Sequence, residues 1–173
     1  MRMTIFSTPP RTMPIRIAFL LAAVAFSRRA GAQTISAADS TAVVAAVDRL
    51  FDAMAHRDTT AARAVLMPGS QLISIRPGAE PAAPRRQADS TFLRSLAGGG
   101  PRLLERMWTP TVHVHGAIAV VWAPYDFHID GKFSHCGVDT FSLVRTATGW
   151  QISGISYTVE QAGCAASPLG PPR

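Results

Sequence analysis

The sequence predicts an α+β fold, with helices first and an antiparallel sheet after them. Three observations carry this reading. Between Asp39 and Asp58, Val43, Val44, Val47, Leu50, Phe51 and Met54 recur at three- and four-residue spacing, the period of an amphipathic helix. From Leu103 onward the chain alternates instead, in segments rich in β-branched and aromatic residues, which is the pattern of strands. The joints between those segments are turn pairs, above all Asp130-Gly131, a strong hairpin signal.

The elements follow in order. Asp39 or Ser40 is placed to cap the first helix, whose other face carries Asp48, Arg49 and Asp52. Asp58 can cap a short helix over 59–66, which Met67-Pro68-Gly69 ends. Residues 70–75 alternate and are β-branched, so they read as a strand. Residues 76–87 are Pro-rich without periodicity, a surface loop. Residues 88–96 form a short helix closed by Gly98-Gly99-Gly100-Pro101. Four strands then cover 103–115, 118–129, 132–145 and 150–160, joined at Gly116-Ala117, Asp130-Gly131 and residues 146–149. Helices followed by a meander define the class. No internal repeat is visible.

The first 32 residues read as a secretory signal peptide. A basic start at Arg16 precedes an apolar run from Ile17 to Phe26, and Ala30-Gly31-Ala32 offers a small-residue cleavage site before Gln33. That run is too short to span a bilayer, so an exported protein is expected, periplasmic or extracellular, without a membrane anchor after cleavage. Five of the 17 basic residues (Arg2, Arg11, Arg16, Arg28, Arg29) and none of the 11 acidic ones lie in this segment, which leaves residues 33–173 a net charge of +1. No basic stripe remains for a phosphate backbone, which excludes nucleic-acid binding. In an oxidising compartment Cys136 and Cys164 are candidates for a disulfide, and the chain offers a single pairing. The tail 165–173 has no apolar pattern and is expected to be disordered.

Strand register follows from the turns, since cross-strand partners face the same way. A two-residue Asp130-Gly131 turn sets Ile129 opposite Lys132, and a regular ladder then sets Asp126 opposite His135 and Trp122 opposite Asp139. Gly116-Ala117 sets His113 opposite Val120, and the last hairpin sets Arg145 opposite Trp150. One face thus holds His113, His115, Trp122, Asp126, His135, Asp139, Phe141 and Trp150, and it suits a cavity under the helices. The other holds Val112, Val114, Tyr125, Phe127 and Tyr157, and it suits solvent or a partner subunit. His128, at a strand end, is expected to be solvated. A bulge at Pro124 or Gly137 would reverse part of this assignment.

Asp139, Asp126 and His135 are therefore the candidate catalytic residues, because carboxylates beside an imidazole in a part-apolar cavity can trade protons with a substrate. Trp122, His113, Phe141 and Trp150 are the candidate lining. His113, His115 and His135 could in principle hold zinc, but no second metal-like cluster supports this, and no metal is expected. No Gly-x-Ser-x-Gly elbow is present. The triple glycine precedes Pro101 and not a Lys-Ser or Lys-Thr helix, so it is not a phosphate loop. Cys136 faces away from His135, which argues against a Cys–His nucleophile.

The amphipathic first helix ending at His56-Arg57-Asp58, the short second helix and the late meander closed by Gly149-Trp150-Gln151-Ile152 resemble the nuclear transport factor 2-like superfamily, which includes ketosteroid isomerase and SnoaL-like cyclases. Residues 125–145, 149–158 and the late Cys164 more closely resemble its lumazine-binding branch. The resemblance spans residues 38–164 and implies a domain over 33–164. It implies a cone, a strongly bent antiparallel sheet packed on two or three N-terminal helices, with a pocket inside and homodimers through the outer sheet face. It implies no particular activity and no cofactor, and nothing in the residues suggests a flavin site. Two readings from different classes follow. One is a secreted protein that binds a small apolar or part-polar molecule. The other is a lyase or isomerase in which Asp139 or Asp126 moves a proton next to a carbonyl, His135 and Trp122 shaping the pocket. A third reading is an interaction module that dimerises through the Val112–Tyr157 face.

Overall fold

The computed structural model describes residues 37–76 and 83–172. The expected signal peptide lies outside these residues, as does half of the loop expected over 76–87. Three helices are followed or interleaved by seven strands: α1 (Ala37–His56), α2 (Thr59–Val65), β1 (Leu66–Ile75), β2 (Arg85–Ala88), α3 (Asp89–Ala97), β3 (Leu103–Met107), β4 (Thr111–His115), β5 (Ile118–Ile129), β6 (Lys132–Thr146) and β7 (Gly149–Thr158). The strands form one curved, open sheet in the order β2-β1-β7-β6-β5-β3, with β4 also paired to β5. The α+β class is as the sequence predicts. The sheet is antiparallel except at β1, which runs parallel to β7.

Helix α1 lies across the concave face. Val43, Ala46, Val47, Leu50, Phe51 and Met54 are its buried stripe, and the Phe51 ring meets Phe141 edge-on at 5.9 Å. Asp58 caps α2 as expected, accepting hydrogen bonds from the Thr60 and Ala61 N–H groups at 2.9 Å. Asp39 sits in the first turn of α1 and not at its cap; its carboxylate pairs with Arg145 at 3.1 Å. The loop read over 76–87 contains β2, a short edge strand whose Arg-Arg-Gln-Ala sequence shows no apolar alternation to betray it.

The single strand expected over 103–115 is two. Thr109 takes a left-handed conformation (φ 43°) before Pro110, and the break lies beside Pro124 of β5, whose carbonyl accepts a hydrogen bond from the Trp108 N–H at 3.2 Å. The missing Pro124 N–H falls at this gap, so no ladder bond is lost. On either side of it, β3 pairs with Tyr125–Ile129 and β4 with Ile118–Trp122.

At Thr158, the end of β7, the backbone comes close against β6 at Gly137 and then continues beside that strand. Gly137 makes this possible, because a Cβ there would collide with the Thr158 carbonyl. That carbonyl accepts the Tyr125 hydroxyl at 2.6 Å, and the Thr158 hydroxyl accepts the Val138 N–H at 3.0 Å. Glu160 then pairs with Cys136, and the Cys136–Cys164 disulfide fastens the segment that follows β7 to β6. Further on, the Gly170 carbonyl accepts Arg106 Nη1 at 3.0 Å.

On the convex face Arg106 of β3 and Asp126 of β5 are directly cross-strand and form a two-point ion pair, Nε–Oδ1 at 2.8 Å and Nη2–Oδ2 at 2.6 Å. Burial by itself would raise the Asp126 pKa, but the guanidinium beside it outweighs this and holds the carboxyl below its usual range. His128, expected to be solvated, is instead buried beside the pair, with Nε2 3.4 Å from Asp126 Oδ1.

Two stability predictions follow from this anchoring. Cys164→Ala opens a ring spanning 28 positions and is expected to lower the unfolding free energy by about 2–4 kcal/mol, read by urea titration against wild type with and without reductant. Asp126→Asn removes the charge facing the Arg106 guanidinium, which keeps only the Gly170 carbonyl and part-solvent contact, and is expected to cost about 1–3 kcal/mol. Because the Asp126 pKa is depressed on folding, this contribution is present above about pH 4 and is lost as pH falls below it. Stability measured across that range should therefore fall less steeply in the variant.

Candidate acid–base cavity

The site is set by one extra residue. The Asp130-Gly131 turn forms as predicted, both residues at positive φ, and Ile129 faces Lys132. His128 then faces Phe133, but Phe127 faces His135, so Ser134 is a bulge with no partner. From that point every β5–β6 pair is one position off the regular ladder. Asp126 faces Cys136 and not His135, and Trp122 faces Thr140 and not Asp139. A second irregularity in the β6–β7 ladder leaves Ser153 unpaired and sets Phe141 beside Ile155.

The face assignment is therefore corrected for half of its members. His135, Asp139, Phe141 and Trp150 point to the concave side, as predicted. Trp122, Asp126, His113 and His115 lie on the convex side. Trp122 is 55% exposed, His113 and His115 are exposed, and Asp126 is committed to Arg106. The set assigned to a partner subunit, including Val112, Val114, Tyr125, Phe127 and Tyr157, faces inward against the core. Cys136 does face away from His135, as expected. The three histidines considered for zinc are split between the two faces.

Between the concave sheet and the helices is a cavity of about 160 Å³. Leu50, Phe51 and Met54 of α1 and Phe92 of α3 cover it, and its floor includes Leu72, Phe127, Phe141 and Ile155. Its polar groups are few: Glu105, Asp139, His135, Tyr157 and Gln87. Trp150 is buried but lines a separate groove with Arg49 and His56, on the α1–α2 side.

Glu105 on β3 was not among the residues singled out from the sequence. It shares a hydrogen bond with Asp139. Curvature brings the two together, since Glu105 is paired with Phe127 and Asp139 with Ala123, four positions along β5. Leu103-x-Glu105-x-Met107 is the signal that could have found it, an acid alternating with apolar residues on one strand face. Asp139 is 1% exposed, and its Oδ2 makes no hydrogen bond within the protein.

Burial raises both carboxyl pKa values. Glu105 is pushed up to about 7, the hydrogen bond from Asp139 opposing the rise. Asp139 is raised well above its ordinary value by burial, by the neighbouring Glu105 charge and by the bond it donates. The pair therefore holds a proton at neutral pH, carried by Asp139 and donated toward Glu105. His135 stacks on Phe127 at 4.8 Å and meets the Tyr125 ring edge-on. Burial, with the positive charge of Arg76 adding to it, lowers the His135 pKa and favours the neutral imidazole. The Tyr157 hydroxyl pKa is raised, chiefly by burial.

No family model matches the chain, and no curated protein matches its sequence. Solved structures do match its fold. One is an NTF2-like superfamily protein from Salmonella enterica, with a TM-score of 0.56 at 15% identity over 75% of this chain and 96% of that one. A candidate dehydratase of the NTF2-like family from Streptomyces avermitilis gives 0.56 at 19% identity, over 72% and 98%. An NTF2-like protein with a cystatin-like fold from Novosphingobium aromaticivorans gives 0.55 at 15% identity, over 76% and 88%. These likenesses establish the architecture: the chain has the NTF2-like, cystatin-like fold.

Proposed function

We propose that this protein takes up a small molecule in the cavity and moves a proton on it, with Glu105 as the base and the proton shared with Asp139 as the acid. The observation that carries this is the placing of two carboxyls, Glu105 and Asp139, in the lining of one largely apolar chamber. A base works best when its pKa lies near the working pH, and Glu105 is tuned there by burial. Asp139 lines the chamber, and its buried Oδ2 has no hydrogen-bond partner in the protein. Glu105 would remove a proton from carbon next to a carbonyl. Returned by the pair at another carbon, that proton completes an isomerisation; delivered to a departing hydroxyl, it completes an elimination of water. Neither route needs net proton uptake. The candidate dehydratase among the structures of like fold agrees with this chemistry. His135 and Tyr157 would orient the polar end of the substrate, and the phenylalanines would exclude water. Export through the N-terminal segment remains part of this reading.

Carbon-13 NMR titration of the side-chain carboxyls tests the reading. Glu105 is expected to titrate near pH 7 and Asp139 above the ordinary carboxylate range; two ordinary carboxylates would refute it. Exchange of the α-protons of cyclohexanone with deuterated water gives an activity readout, expected to fall by about 100-fold or more in Glu105→Gln. The pair also imposes a pH dependence on folding. The unfolded carboxyls titrate near pH 4 and the folded ones well above, so between about pH 4 and pH 7 the native state binds more protons. Stability is thus greatest at the acid end of this window and falls as pH rises through it. Thermal melts should show this slope in wild type and a shallower one in Asp139→Asn.

A further inference from the structure

We propose that the occupant of this cavity is an organic cation, a small alkyl or aryl amine bound in its protonated form. The inference rests on the site described above and names the charge of its ligand; a substrate of the proton transfer would carry this ammonium in the same molecule as its carbonyl. Five aromatic rings, from Phe51, Phe92, Phe127, Phe141 and Tyr157, line the chamber together with the two carboxyls. Ring faces attract cations, and two carboxyls at low dielectric repel anions far more than they would in water. No lysine or arginine is among the lining residues.

Among the described residues, no other charged side chain lines the chamber beside the pair. Helices α1 and α3 contribute only apolar groups to the lining. From the sheet, Tyr157 and the neutral His135 face the chamber, and the Tyr125 hydroxyl is committed to the Thr158 carbonyl. Arg76 acts on His135 and Arg85 on Tyr157, but neither lines the chamber. The unpartnered Asp139 Oδ2, buried and adjacent to the chamber, is an acceptor suited to an ammonium N–H. Size limits the class, because a cavity of about 150 Å³ holds a single benzene ring. A bound ammonium is balanced by the Glu105 carboxylate: the proton that Glu105 carries in part below about pH 7 leaves to solvent, while Asp139 keeps its own, so the base is ionised and the acid stays in place.

Isothermal titration of the full chain with benzylamine, benzyl alcohol and benzoate, which share one ring, tests this. Benzylamine is expected to bind about tenfold tighter than the alcohol, with benzoate weakest. Its affinity should rise between about pH 6 and pH 8 as the pair ionises, and buffers of different ionisation enthalpy should reveal a released proton. Glu105→Gln should remove the amine's advantage and leave alcohol binding in place. Alcohol or benzoate binding as well as the amine, or no binding of the amine, would overturn the inference. The outcomes separate from those of the previous proposal. If Glu105 titrates near pH 7 and the amine has no advantage, only the cation assignment falls. If Glu105 titrates like an ordinary carboxylate, the proton-transfer reading falls, while the ligand series still decides the charge preference.

Discussion

The unpaired Ser134 governs the arrangement of the site. Side chains on a strand alternate, so a single inserted residue sends everything beyond it to the opposite face relative to the turn. Because of it, the long β5–β6 hairpin turns Tyr125 and Phe127 inward with His135 and Asp139, and turns Asp126 outward with Cys136. The same insertion that supplies an imidazole and a carboxyl to the concave side supplies a carboxylate to the convex side, where Arg106 neutralises it. One acid is placed where water is excluded and the other where a guanidinium meets it, and their pKa values move in opposite directions for that reason.

The interior acids oppose stability. A core of this size would gain from an apolar residue at position 139, since burying a carboxyl without full hydrogen bonding is costly. Asp139 nonetheless sits at the centre of the sheet with one oxygen unpaired. The surrounding fold compensates through the α1 stripe on Phe141 and Ile152, the disulfide from β6 to the segment after β7 and the two hydrogen bonds from Arg106 to Asp126. Polar groups kept inside an apolar chamber at this cost are the kind of local inconsistency that marks function.

Much of this was legible in the sequence. The α1 stripe, the Asp58 cap, the Asp130-Gly131 turn and the disulfide partners each rest on local chemistry or on a unique pairing, and all appear in the structure. The sheet faces were legible only up to the first bulge. Ser134 has no residue type that announces an insertion, and a bulge considered at Pro124 or Gly137 was real in its consequence but lay elsewhere. Pro124 instead marks the break between β3 and β4, and Gly137 admits the close approach of the Thr158 carbonyl. Glu105 was missed because its partner lies on another strand and comes near only through sheet curvature, which no local pattern encodes. The parallel pairing of β1 with β7 is hidden for the same reason.

The two carboxyls also differ in how the chain holds them. Asp139 lies on an inner strand, flanked on both sides, three residues from a cysteine covalently tied to the segment that follows β7. Glu105 lies on β3, a margin of the sheet with a ladder partner on one side alone, and its neighbour Arg106 is what grips that margin to β5 and to the Gly170 carbonyl. Local opening follows the least-anchored element. The two acids of the chamber are thus held unequally: Asp139 by paired strands on both sides, and Glu105 by one ladder and the ion pair next to it.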